Sequence, residues 1–118
     1  MKKIVLIVED DEVHGKLLAQ IIAQETPHQP IVASQAMATL KFVQHVKPDL
    51  LILDYLLPRM DGLELYDQLQ KMPGVNEVPV LLISASLPCE EVERRGIVGM
   101  KKPFELDAFL ETIERLLV

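Results

Sequence analysis

The chain is poor in every residue type that would advertise stacking or covalent bracing. Of its 118 residues none is tryptophan, three are phenylalanine and two are tyrosine. So few rings leave little platform for stacking the bases of a single strand. The single cysteine, Cys89, rules out an internal disulfide, and no Cys/His spacing resembles a zinc site. A reducing, cytoplasmic location is the expectation. No apolar run approaches the roughly 20 residues of a membrane span. The basic then apolar start, Met1 to Val8, is too short for a signal peptide, and four acids follow where small residues should mark cleavage. Basic residues are outnumbered, 12 Lys+Arg against 18 Asp+Glu, and the net charge of −6 disfavours binding to phosphate backbones by the domain as a whole. Glycine is scarce as well, and no Gly-rich turn follows the first apolar run, which excludes a dinucleotide-binding fingerprint.

What remains has the length and balance of one globular domain spanning residues 1–118, with 49% hydrophobic and 25% charged residues. Ile4 to Val8 is a continuous, mostly β-branched apolar run, as in a strand buried on both faces. Val13 to Glu25 carries Val13, Leu17, Leu18, Ile21 and Ile22 on one helical face. Pro27 and Pro30 bracket a loop before a short strand near Ile31 to Ala33. Ser34 is placed to cap a helix reaching about Val46, which Pro48-Asp49 breaks. Leu50 to Leu53 reads as a second buried strand. Asp61 with Glu64 forms a capping box for a helix to about Met72, stopped by Pro73-Gly74. Val78 to Ile83 is a further strand, with Pro79 at its entry. Pro88 to Arg95 suits a short helix, Ile97 to Met100 a weak fifth strand, and Glu105 to Leu117 a final amphipathic helix. The alternation predicts a flavodoxin-like, doubly wound (βα)5 α/β fold around a five-stranded parallel sheet.

In such folds function gathers at the carboxyl ends of the strands. Glu9, Asp10, Asp11 and Glu12 follow the first run, Asp54 the third, Ser84 the fourth, and Lys101 and Lys102 the fifth. Carboxylates brought around one point repel one another and invite a hard divalent cation such as Mg2+. A lysine beside them neutralises charge and donates to phosphate oxygens. Carboxylate, metal, lysine and hydroxyl are the parts of a phosphoryl-transfer site with aspartate as nucleophile. Each residue also has a plainer reading. Asp11 and Glu12 suit a helix N-terminus, Asp61 a helix cap, Ser84 a strand-end hydroxyl bonded to backbone, and Lys102 a surface lysine. His14, His28 and His45 are scattered and read as surface or partly buried residues, and Met60, Met72 and Met100 as packing.

Four segments together resemble the receiver domain of two-component response regulators. They are Ile7 to Glu12, Pro48 to Gly62 with Asp54 near its centre, Ser84-Ala85, and Lys102-Pro103-Phe104. The resemblance covers essentially the whole chain. It implies that Asp54 is the phosphoacceptor, that Asp10 binds Mg2+ directly with Glu9 assisting through water, and that the backbone carbonyl of Leu56 is a third protein ligand. Ser84 would bond a phosphoryl oxygen, and Lys102 would bridge the phosphate or Asp54. It further implies a cis peptide before Pro103. The donor would be a sensor histidine kinase or a histidine phosphotransfer protein. The domain would act as a switch for protein partners, as monomer or weak homodimer, not as an enzyme beyond its own phosphorylation and dephosphorylation. It would be either a stand-alone receiver or a piece of a longer protein.

Two departures stand out. Gly99 occupies the position where the family usually carries an aromatic residue, and no aromatic lies between Tyr66 and Phe104. The stretch from Ser84 to Lys102 is also short, so signalling is expected to rely on Ser84 and the loop after it, or on another surface. Leu56 and Ser86 sit where the family tunes dephosphorylation, and an apolar Leu56 would hinder an attacking water. Two other classes compete with the receiver reading. A pseudo-receiver would keep the fold and bind partners without phosphorylation. An Asp-nucleophile phosphatase would need a second aspartate two residues after Asp54, where Leu56 stands.

Overall fold

The structure, a computed structural model, describes residues 2–118. Its elements in chain order are β1 (Ile4–Val8), α1 (Glu12–Glu25), β2 (Gln29–Ala33), α2 (Ala36–Phe42), β3 (Leu50–Asp54), α3 (Gly62–Gln70), a 3-10 turn (Val75–Glu77), β4 (Val80–Ser84), α4 (Cys89–Arg95), β5 (Val98–Lys101) and α5 (Leu106–Leu117). All five strands lie parallel in one sheet of order β2-β1-β3-β4-β5. This is the doubly wound fold expected, and the strand order reverses between β1 and β3.

The apolar runs are continuous because the central strands are covered on both faces. Leu6, Val8, Leu51, Leu53, Val80 and Leu82 point to one side, packing with Ala36, Leu65, Leu69 and Val92 of α2, α3 and α4. Val5, Ile7, Leu50, Ile52, Leu81 and Ile83 point to the other, packing with Leu18, Ile22, Phe109, Ile113 and Leu117 of α1 and α5. Alternation of period two thus builds two cores from one sheet. Rings of Phe104 and Phe109 stack at 5.1 Å beneath the second.

Several boundaries differ from the sequence reading. β2 begins at Gln29, so Pro30 lies inside a strand. An edge strand tolerates this, because β2 pairs only with β1 and Pro30 lacks no ladder partner on its open side. Ser34 does not cap α2. It lies in the bend leaving β2, and Gln35 holds the cap position without a side-chain bond. α2 ends at Phe42, and the chain to Val46 closes as a turn through Val46 N–H to Phe42 O. On α1 only Leu18 and Ile22 of the expected apolar face are buried, while Val13 and Leu17 are 78% and 50% exposed. The capping box is as read, with Asp61 and Glu64 bonded reciprocally to each other's backbone N–H at 2.8 and 3.0 Å. No helix among the described residues is long and apolar enough to cross a membrane.

Candidate functional site

The register of the sheet assembles the site. Val8 pairs with Leu53 and Asp54 with Ile83, so Glu9 and Asp54 emerge side by side where the strand order reverses. Ser84 pairs with Lys101, and Lys102 N–H donates to Ser84 O at 2.9 Å. Glu9 N–H donates to Ala33 O at 3.0 Å, and Tyr55 N–H to Ile83 O at 2.9 Å. Each functional side chain therefore hangs from the last hydrogen bonds of a strand.

One carboxylate oxygen from each of Glu9, Asp10 and Asp54 lies within 4.8 Å of the others. Glu9 and Asp54 are buried, while Asp10 faces solvent. Lys102 reaches between the buried pair, its Nζ 3.3 Å from Glu9 Oε1 and 3.6 Å from Asp54 Oδ1. Its peptide bond to Pro103 is cis, as the resemblance implied. Ser84 is buried at the end of β4, and its Oγ accepts the Ser86 N–H at 3.0 Å. Leu56 sits on the loop two residues beyond Asp54 and is 60% exposed. Lys101 is exposed on β5.

The electrostatics record the crowding. Burial, then hydrogen bonding to Glu9 and the nearby Glu9 and Asp10 charges, raise the Asp54 carboxyl to about 7, with Lys102 opposing. Burial also pushes Glu9 upward. That push is outweighed by hydrogen bonds from Asp54, His14 and the Asp11 N–H, and by Lys102, so Glu9 falls to about 2. The pair thus keeps one proton into the neutral range, on the Asp54 side. A cation at this point would relieve the same repulsion. Three convergent carboxylate oxygens are the donor chemistry of a hard divalent ion, and the site fits one.

The plain readings hold for the flanking acids. Asp11 caps α1, its Oδ1 accepting from Val13 and His14 N–H at 3.0 and 3.2 Å, and Glu12 lies in the first turn. Three contributors escaped the sequence reading. His14 Nδ1 lies 2.5 Å from Glu9 Oε1, and the available signal was its place three residues after the cap, on the turn overlying β1. Gly62 has no room for a side chain, since a Cβ would stand 2.5 Å from Asp54 O and 2.8 Å from Leu82 Cδ1. Leu87 fills the space over Gly99, where a Cβ would meet Leu87 Cδ2 at 2.9 Å and Val92 Cγ1 at 3.1 Å. The absent aromatic is thus matched by an aliphatic side chain from the loop after Ser84.

Beside the site, α1 and the turn before α5 enclose an apolar groove of about 480 Å³, lined by His14, Leu17, Ile21, Lys102, Phe104 and Leu106 among others. On the opposite side α4 is held to α3. The Arg95 guanidinium donates to both oxygens of Asp67, at 3.0 and 2.8 Å, and to Glu91 at 2.7 Å.

A parallel doubly wound domain with its polar groups at the sheet's reversal point belongs to the open α/β class, whose ligands bind in the crevice beyond the carboxyl ends of the strands. Comparison with known proteins narrows this. The family model of the response regulator receiver domain matches residues 5–114, and the chain belongs to that family. It is a receiver domain of a two-component response regulator, a regulatory module. It is 30% identical to the polar-differentiation response regulator DivK of Brucella anthropi, over 99% of this chain and 98% of that protein. It is 33% identical to the receiver domain of NtrX from Brucella abortus, with TM-score 0.85, covering 96% of this chain and 97% of that one. The receiver domain of the sensor histidine kinase PA1611 from Pseudomonas aeruginosa PAO1 shares the fold at TM-score 0.88 and 16% identity, over 99% and 98% of the chains. That structure carries a magnesium ion coordinated in its active-site cleft.

Proposed function

We propose that this receiver accepts a phosphoryl group on Asp54 with Mg2+ and uses the resulting change to switch a protein partner. The observation that carries the reading is the convergence of Glu9, Asp10 and Asp54 with Lys102 between the buried pair. A magnesium ion in the cleft of a structural relative supports the choice of cation. Asp10, Asp54 and the Leu56 carbonyl would hold the ion, with Glu9 assisting through water. When bound, the cation would neutralise the carboxylates and the incoming phosphoryl oxygens.

This chain's own groups supply the rest. A carboxylate oxygen of Asp54 attacks the phosphorus, forming an acyl phosphate as the donor's P–N bond breaks, and the released imidazole takes a proton from water. Lys102, already 3.6 Å from Asp54, moves its ion pair onto a phosphoryl oxygen. The Ser84 hydroxyl leaves the Ser86 N–H and donates to another. That exchange pulls on Ala85 and Ser86 and, through them, on Leu87 in its seat over Gly99. Output therefore runs through the loop from Ser84 to Pro88. A histidine kinase or phosphotransfer protein is the donor, and exposed Val13, Leu17, Leu56 and Leu106 rim the site with apolar surface for it to grip.

Incubation with Mg2+ and acetyl phosphate, followed by intact mass measurement, tests the reading. One phosphoryl adduct on the wild type, absent from Asp54→Ala, is expected. No adduct with any donor would favour a pseudo-receiver, which binds partners through the same fold without phosphorylation.

A further inference from the structure

His14 carries more than packing. Its Nδ1 lies 2.5 Å from Glu9 Oε1, and the same oxygen faces Lys102 Nζ at 3.3 Å. The other oxygen, Oε2, accepts the Asp11 N–H at 3.3 Å. Glu9 is 2% exposed, so these donors replace the water its carboxylate has lost. An ionised carboxylate only accepts, so the proton of the contact belongs to Nδ1. In the neutral ring that leaves Nε2 unprotonated. A glutamate also has one more rotatable bond than an aspartate. Without His14 its head would be held only by two longer contacts, from the Asp11 N–H and Lys102, both at 3.3 Å.

We propose that His14 is a positioning residue for the cation site, holding the Glu9 carboxylate in the orientation that leaves Asp10 and Asp54 free to meet the ion. The inference rests on the reading of Glu9, Asp10 and Asp54 as a divalent-cation site. A merely structural role, in which His14 only satisfies a buried acid and fastens α1, would change stability and leave cation binding alone.

The experiment uses the full chain and Mg2+ alone. Amide shifts of residues 9–11 and 54–56 are followed through a Mg2+ titration of wild type, His14→Leu and His14→Asn. Removing a partner that orients a ligand typically weakens metal binding about 10- to 100-fold, so His14→Leu is expected to need at least about tenfold more Mg2+ for half-saturation. His14→Asn, whose amide N–H reaches toward the same oxygen, is expected to recover to within about threefold of wild type. In the metal-free wild type, imidazole ¹⁵N shifts should show the Nδ1–H tautomer. A His14→Leu protein that binds Mg2+ like wild type, an asparagine variant as weak as leucine, or the Nε2–H tautomer each overturns the proposal. A wild type with no saturable Mg2+ shift overturns the cation-site reading itself, and this inference with it.

Discussion

Replacing Asp54 with asparagine removes a buried acid whose ionisation the fold resists. Asp54 is 6% exposed, and its carboxyl keeps its proton to about 7 against an ordinary value of 3.8. An acid whose folded value is raised is held best when protonated. Its contribution is complete below the unfolded value and is lost as pH climbs through the folded one. The loss belongs to the window between 3.8 and about 7. Glu9 is displaced the other way, from 4.5 to about 2, so its contribution is fully present above the upper value and constant beyond it. Above about pH 5.5 only Asp54 therefore distinguishes the two proteins. From there to about pH 8.5 the wild type releases a proton that the unfolded chain has already lost. At about 1.36 kcal/mol per pH unit below the folded value, this comes to about 2 kcal/mol. Asparagine is close in shape and donates to Glu9 as the protonated aspartate does. Urea unfolding of metal-free wild type and Asp54→Asn should thus show the variant gaining about 2 kcal/mol on wild type between those two pH values. A difference that is the same at both pH values, or one that grows in favour of wild type, would refute the crowding argument.

Four further outcomes follow from the same geometry. Because a cation must displace the Asp54 proton, the half-saturating Mg2+ concentration should fall up to about tenfold per pH unit up to about 7 and then level off, read by amide shifts. Gly62→Ala should destabilise by about 1 to 3 kcal/mol in urea unfolding, since its Cβ meets the Asp54 carbonyl and the Tyr55 backbone, which cannot turn aside as the Leu82 side chain can. Gly99→Tyr should cost a similar amount, about 1 to 3 kcal/mol, and much of it should return in the double variant with Leu87→Ala, which vacates the seat. Leu56→Asn should shorten the lifetime of the acyl phosphate by letting water be held near it; an unchanged half-life counts against a shielding role for Leu56.

The strands of the central sheet were legible because each is buried on both faces and so appears as an unbroken apolar run. Their ends were legible because a polar residue follows each run at once. That is why Glu9, Asp54, Ser84 and Lys102 could be expected at one end of the molecule before the register placed them there. Pro30 misled because proline's exclusion from strands weakens at an edge, and edge status depends on a strand order that local sequence does not contain. Ser34 misled because capping depends on the angle at which the chain leaves β2, a tertiary matter. Val13 and Leu17 match the helical period of Leu18 and Ile22, yet lie beyond the arc that the sheet covers. His14, Gly62 and Leu87 act through close approaches between elements distant in the chain, and spacing alone carries no trace of those distances.

Reductive trapping reads directly whether Asp54 receives the phosphoryl group. Protein exposed to Mg2+ and acetyl phosphate, then to borohydride, converts an aspartyl phosphate to homoserine, which peptide mass spectrometry locates. Homoserine is expected at position 54, dependent on Mg2+ and absent from Asp54→Asn. A phosphoryl group found on His14 or another residue, or no reduced residue at 54 in protein that carries the adduct, would contradict it.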